Sequence, residues 1–91
     1  MGVAMKIKEG FMLRDIAGNF VVVPVGKASK DFNGVINLNP TGAFLWKKLI
    51  TGATTEELIN NLMEEYEVNI DVATLDTNTF IENLKEASLL E

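Results

Sequence analysis

The chain has 91 residues, an apolar share of 47% and a net charge of −5, the description of one small domain able to form a core without metal or disulfide staples. It contains neither cysteine nor histidine, which excludes thiolate nucleophiles, Cys-X-X-Cys redox chemistry, zinc sites ligated by Cys or His, thiolate-held iron–sulfur clusters and a Ser-His pair. No apolar run approaches the roughly 20 residues that a membrane helix needs and no signal-peptide core is visible, so a cytoplasmic protein with no membrane attachment is expected.

The charge is unevenly divided. Residues 1–53 hold seven Lys/Arg against Glu9, Asp15 and Asp31, whereas residues 54–91 hold Lys85 alone against ten carboxylates. Most of those carboxylates read as the solvated faces of surface helices, and together they would repel a phosphate backbone. The chain reads as a single domain over 1–91, with residues 1–5 a frayed, disordered lead-in.

In chain order, Phe11–Ile16 and Phe20–Val25 are strand-like runs flanking Ala17-Gly18-Asn19, a three-residue connection whose glycine suits a tight antiparallel hairpin. Pro24 cannot donate to a ladder, which places the end of the second strand near Val23. Gly26 to Gly34 is a polar loop, and Val35-Ile36-Asn37-Leu38 is a short third strand completing a meander. Asn39 then caps a helix through its side-chain oxygen, with Pro40 at the first helical position, where the missing N–H costs nothing.

Over residues 40–51 a 100° step puts Gly42, Ala43, Leu45, Trp46, Leu49 and Ile50 on one stripe, which is core, with Trp46 as its anchor. Phe44 falls on the opposite side between Lys47 and Lys48, where either the sheet covers it or it belongs to a contact surface. Thr54 and Glu57 have the spacing of a capping box and open a second helix, whose apolar face is Leu58, Ile59, Leu62, Met63 and Tyr66. Asp71 is the expected N-cap of a third helix over about 72–87, with Ala73, Phe80, Ile81, Leu84 and Ala87 on its core stripe. Val72 and Leu75 lie off that stripe with Asp76, Thr79 and Asn83; this second, mixed face reads either as one wall of a groove or as first-turn irregularity. Asp76 has two readings, a local helix-capping carboxylate or a partner for a basic or amide group.

The junction Leu38-Asn39-x-Thr41-x-Ala43-x-Leu45-Trp46, the helix start Gly52-x-Thr54-x-x-Glu57-Leu58, the link Tyr66-x-Val68, the run Asp76-x-x-x-Phe80-x-x-x-Leu84 and the closing Leu89-Leu90 together resemble the PqqD-like family over residues 6–91. Ser88 departs from the pattern, which has glycine after the last helix. The resemblance implies an α+β, winged-helix-like domain of a three-stranded antiparallel sheet followed by three helices. It implies a non-catalytic recognition element for ribosomally made precursor peptides, without metal or cofactor of its own. In that family the leader peptide adds as a strand beside the third strand and against the third helix, and is presented to a modifying enzyme, often a radical S-adenosylmethionine protein. Carried onto this sequence, the peptide-binding residues are Val35, Ile36, Asn37, Leu38, Leu75, Asp76, Thr79, Phe80 and Asn83. The residues agree: a short edge strand offers unpaired N–H and C=O groups, to a peptide or to a second copy in a homodimer. The alternative is a winged-helix nucleic-acid binder, which the carboxylates Asp71, Asp76, Glu82 and Glu86 against Lys85 oppose.

Overall fold

The computed structural model of the chain describes residues 3–27, 30 and 35–91. Three strands, β1 (Phe11–Ile16), β2 (Asn19–Pro24) and β3 (Ile36–Leu38), precede three helices, α1 (Pro40–Thr51), α2 (Thr55–Tyr66) and α3 (Ile70–Glu86). The sheet is an antiparallel meander in the order β1-β2-β3, so β3 has a strand neighbour on one side only among the described residues. Most of the polar loop expected over Gly26–Gly34 lies outside the described residues.

The hairpin is tighter than its composition suggested. Asn19 pairs with Ile16, leaving Ala17 and Gly18 as a two-residue turn at φ 53° and 84°. Two consecutive positive-φ residues twist the chain in the sense that antiparallel strands require, which a longer link would not have improved. The Gly18 N–H donates to the Asp15 carboxylate at 3.0 Å. Pro24 is the last residue of β2, opposite Phe11 and beyond the stretch that pairs with β3, so its missing N–H removes nothing from the β2–β3 ladder. Val35 stands outside β3 and is 56% exposed.

Each helix begins on a side-chain cap. Asn39 Oδ1 accepts from the Gly42 N–H at 2.7 Å, and the Thr54–Glu57 capping box is complete, with bonds of 3.1 and 2.8 Å. The third cap is Asn69, whose Oδ1 accepts from the Val72 N–H at 2.9 Å, and α3 starts at Ile70. Asp71 therefore lies within the first turn, where its charge still complements the helix N-terminus. At the other end Ser88 takes the left-handed conformation, φ 60°, that glycine would have adopted at lower cost. The Leu89 N–H reaches the Leu84 carbonyl at 2.9 Å and the Ser88 N–H the Lys85 carbonyl at 3.0 Å, a Schellman closure built on serine.

The core lies between the inner face of the sheet and the helices: Val22 from β2, Leu45, Trp46 and Leu49 from α1, Leu58 and Leu62 from α2, and Ala73, Phe80, Ile81 and Leu84 from α3. Ile50, expected in the α1 stripe, is 47% exposed, because five neighbouring positions already fill the width of contact. Phe44 is half-buried, and its cover is α2 rather than the sheet. Its ring meets Tyr66 edge to face at a centroid distance of 5.6 Å, and Lys48 Nζ sits 5.2 Å from its centroid.

The lead-in is also tied down from Met5 onward. Met5 and Ala53 exchange backbone bonds of 2.8 and 2.9 Å, Ile7 is buried and bridged to Leu90, and the Glu91 N–H reaches the Lys6 carbonyl at 2.9 Å. Met5, the last residue of the expected lead-in, is thus paired, and alternating Met5 and Ile7 supply apolar groups that the core takes up.

Two substitutions test this packing. Trp46 is 0% exposed, and Trp46→Ala should cost about 3–5 kcal/mol, a large part of the ~5–15 that holds such a domain together. Thermal melting followed by near-ultraviolet circular dichroism should show lost cooperativity. Thr77, also 0% exposed, has a hydroxyl without a hydrogen-bond partner among the described residues. Thr77→Val keeps the shape and removes that desolvated group, so the melting temperature should rise by an amount corresponding to about 1 kcal/mol.

Candidate functional site

A groove of about 360 Å³ runs between the end of β3 with the start of α1 on one side and the exposed face of α3 on the other. The Asn39 cap positions the first wall. By holding the α1 N-terminus, it turns the chain from Leu38 into the helix so that Thr41, Gly42 and Leu45 follow Asn37 and Leu38 along the groove. Gly42 matters at this point because a Cβ there would lie 3.1 Å from Asn39 Oδ1 and 3.4 Å from the Phe80 ring. Its hydrogen lets the Phe80 ring and the α1 backbone close the floor together.

The second wall is Leu75, Asp76, Thr79 and Asn83, with Phe80 beneath them. Helical spacing makes this wall: positions 75, 79 and 83 recur at four residues and 76 stands beside the first. Phe80 is buried, whereas Leu75 is 67% exposed. Of the residues expected at the site, Asn37, Leu38, Leu75, Asp76, Thr79, Phe80 and Asn83 line this groove together. Val35 and Ile36 do not. Ile36 is half-buried and packs against the core, and Val35 precedes the strand. Val72, which shared the mixed face in the sequence, also lies outside the groove. Sequence reasoning missed Asn39, Thr41, Gly42 and Leu45; the signal available was the strand-to-helix junction, whose first helical turn must continue the wall that the strand begins.

Asp76 sits in the seventh position of α3, too far from the N-terminus to cap it. Its carboxylate makes no hydrogen bond or ion pair with any described residue. It is the one ionisable side chain among the described residues that line the groove. The other polar groups there are amides and hydroxyls, Asn37, Asn39, Thr41, Thr79 and Asn83. No group of three or more carboxylates able to hold a metal ion occurs among the described residues. Chemically, the groove offers main-chain groups of an edge strand, an apolar floor and one carboxylate without a partner among the described residues.

The model of the family described as coenzyme PQQ synthesis protein D (PqqD) matches residues 19–90. No curated protein matches the chain. Two solved structures share its fold. One is TbiB1 in complex with the TbiA(beta) leader peptide, 23% identical over 94% of each chain, with a TM-score of 0.73. The other is lasso peptide synthetase B1 complexed with the leader peptide, 19% identical over 98% of this chain and 99% of that one, with a TM-score of 0.74.

Proposed function

This chain belongs to the PqqD family, and from that premise we propose that it is a non-catalytic adaptor that binds the leader of a ribosomally made precursor peptide in the groove between β3 and α3. The observation that carries the reading is the groove itself: a strand edge and a mixed helix face meet along one line, in a fold shared over nearly its whole length with two proteins solved with leader peptides. The leader adds as a fourth strand beside Ile36–Leu38, with Val35 extending the pairing at the strand's entrance.

Magnitudes divide the work between backbone and side chains. Three residues of edge supply only two or three ladder bonds at about 1 kcal/mol net each, whereas micromolar binding requires about 8 kcal/mol. The remainder comes from side chains of the peptide seated over Phe80 and along Leu75, Asp76, Thr79 and Asn83. Main-chain pairing thus sets the direction and register of the leader, while the side chains along α3 supply most of the affinity and the sequence preference.

The chemistry is carried by a separate peptide-modifying enzyme, of which a radical S-adenosylmethionine protein is the form implied by the sequence resemblance. The work takes place in the cytoplasm, where precursor peptides are made. No described helix is long and apolar enough to cross a membrane. An unoccupied β3 edge would also pair two copies of the chain, so self-association and leader binding compete. The nucleic-acid alternative gains no support, since α3 exposes Asp71, Asp76, Glu82 and Glu86 to any phosphate that approached it.

Neighbouring residues of a strand direct their N–H groups to opposite sides, so Ile36→Pro and Asn37→Pro remove donors from different edges of β3. One should lower the melting temperature; the other should keep it and weaken binding of the leader encoded nearest the gene. Amide shift mapping with that leader should give the largest changes at 36–38 and 75–83, and changes centred on α2 would reject the edge-strand mode. Purified protein alone should turn over no such peptide, as read by mass spectrometry, because it has no thiol, imidazole or cluster ligand to do so.

A further inference from the structure

We infer that the segment of peptide seated against α3 carries a lysine or arginine, whose aliphatic stem lies across Leu75 and whose cation is held by Asp76. The inference rests on the leader-binding reading and adds the side-chain chemistry that the groove selects. Asp76 is the one ionisable group among the described residues lining the groove, no basic side chain lines it, and Asp76 has neither a capping role nor a partner among the described residues. A carboxylate left unneutralised within its own site is complementary to a cation brought by the ligand.

The neighbouring residue sharpens the choice. Leu75 stands 67% exposed immediately before Asp76 and lines the same groove. A bare leucine beside a free carboxylate matches a long basic side chain, which covers apolar surface with its methylenes and keeps its charged head at the polar edge. A short polar residue would reach the carboxylate and leave the leucine wet. An apolar residue would cover the leucine and desolvate the carboxylate without a partner, which costs more than it gains.

Spacing limits this to one cation. Side chains on one face of an extended peptide recur every ~6.7 Å, and Thr79 and Asn83 lie about 4.5 and 10.5 Å beyond Asp76 along the helix axis. The next inward-facing peptide residue therefore falls between a hydroxyl and an amide, with no charge to meet. For a peptide running along α3, a single basic residue with an uncharged one two positions away is the pattern that fits.

The rest of the acidic half would draw basic peptides unspecifically, so the test needs a control elsewhere on α3. Display selection with a random linear 12-residue library should be run against the full chain, Asp76→Lys and Glu82→Lys, since Glu82 is exposed and outside the groove. The expected result is enrichment of one Lys or Arg at a fixed place in peptides selected by the wild type and by Glu82→Lys, with replacement by Asp or Glu at that place for Asp76→Lys. A selected peptide should lose about fivefold in affinity towards Asp76→Asn, the contribution of an ordinary ion pair near solvent, and the loss should shrink at high salt. Amide shifts of the selected peptide on the wild type separate the two levels. Peptides that shift 36–38 and 75–83 but show the same basic preference in all three proteins, or none, would overturn the cation assignment and leave strand addition standing. Peptides that shift neither segment would overturn both.

Discussion

The structure depends on the hydrogen bonds at one junction. Asn39 accepts through its side chain from the Gly42 N–H at 2.7 Å and through its carbonyl from the Ala43 N–H at 2.9 Å, while Pro40 occupies the position where an N–H would have gone unused. A three-residue strand has too few ladder bonds to fix its own direction against a helix; the cap does so, converting an extended chain into α1 within two residues. Everything the groove presents follows from that angle. Leu38 and Leu45 come to line the groove together, Trp46 is buried beside Leu45 in the core, and Gly42 is left at the narrow point, where a side chain would meet both the capping oxygen and the Phe80 ring.

Core and groove are therefore two faces of the same helices. On α3 the stripe at 73, 77, 80, 81 and 84 is buried while 75, 76, 79 and 83 are open, so one helix is core on one side and groove wall on the other. Phe80 belongs to both, since its ring is packed against the core and also forms the floor beneath the open wall. In the proposed mode, a groove built directly on core residues would lose little conformational freedom on taking up a peptide strand.

Much of this was legible in the chain. Strand order, three helices and two of three caps follow from period, turn and capping chemistry, and period also sets Leu75, Asp76, Thr79 and Asn83 off the core stripe of α3; that this face and the β3 residues Asn37 and Leu38 belong to one site was implied by the family resemblance. What escaped was decided between neighbours. Asn69 and Asp71 are both good caps, and the choice between them rests on where Val68 meets the core, a tertiary contact. Ile50 matches the α1 stripe as well as Leu49 does, but a stripe wider than its contact must leave one edge wet. Phe44 drew two explanations from its lysine neighbours and received a third, because Tyr66 is twenty-two residues away and only the packing of α2 on α1 brings the rings together. Ser88 departs from the glycine rule, yet the 2.9 Å bond from Leu89 to Leu84 holds the reversal that glycine would have made easier.

The lead-in pairs by an isolated bridge with residues next to the last helix: Ile7 is bridged to Leu90, and the Lys6 carbonyl accepts from the Glu91 N–H. Entry to the fold and exit from it thus lie side by side, closed by backbone bonds that do not involve β3 or the open face of α3. For gene architecture this makes the unit portable. A polypeptide could run into it and out again at almost the same point, as it does through a surface loop, and the domain could be grafted into a larger enzyme or translated apart from it with the same groove intact.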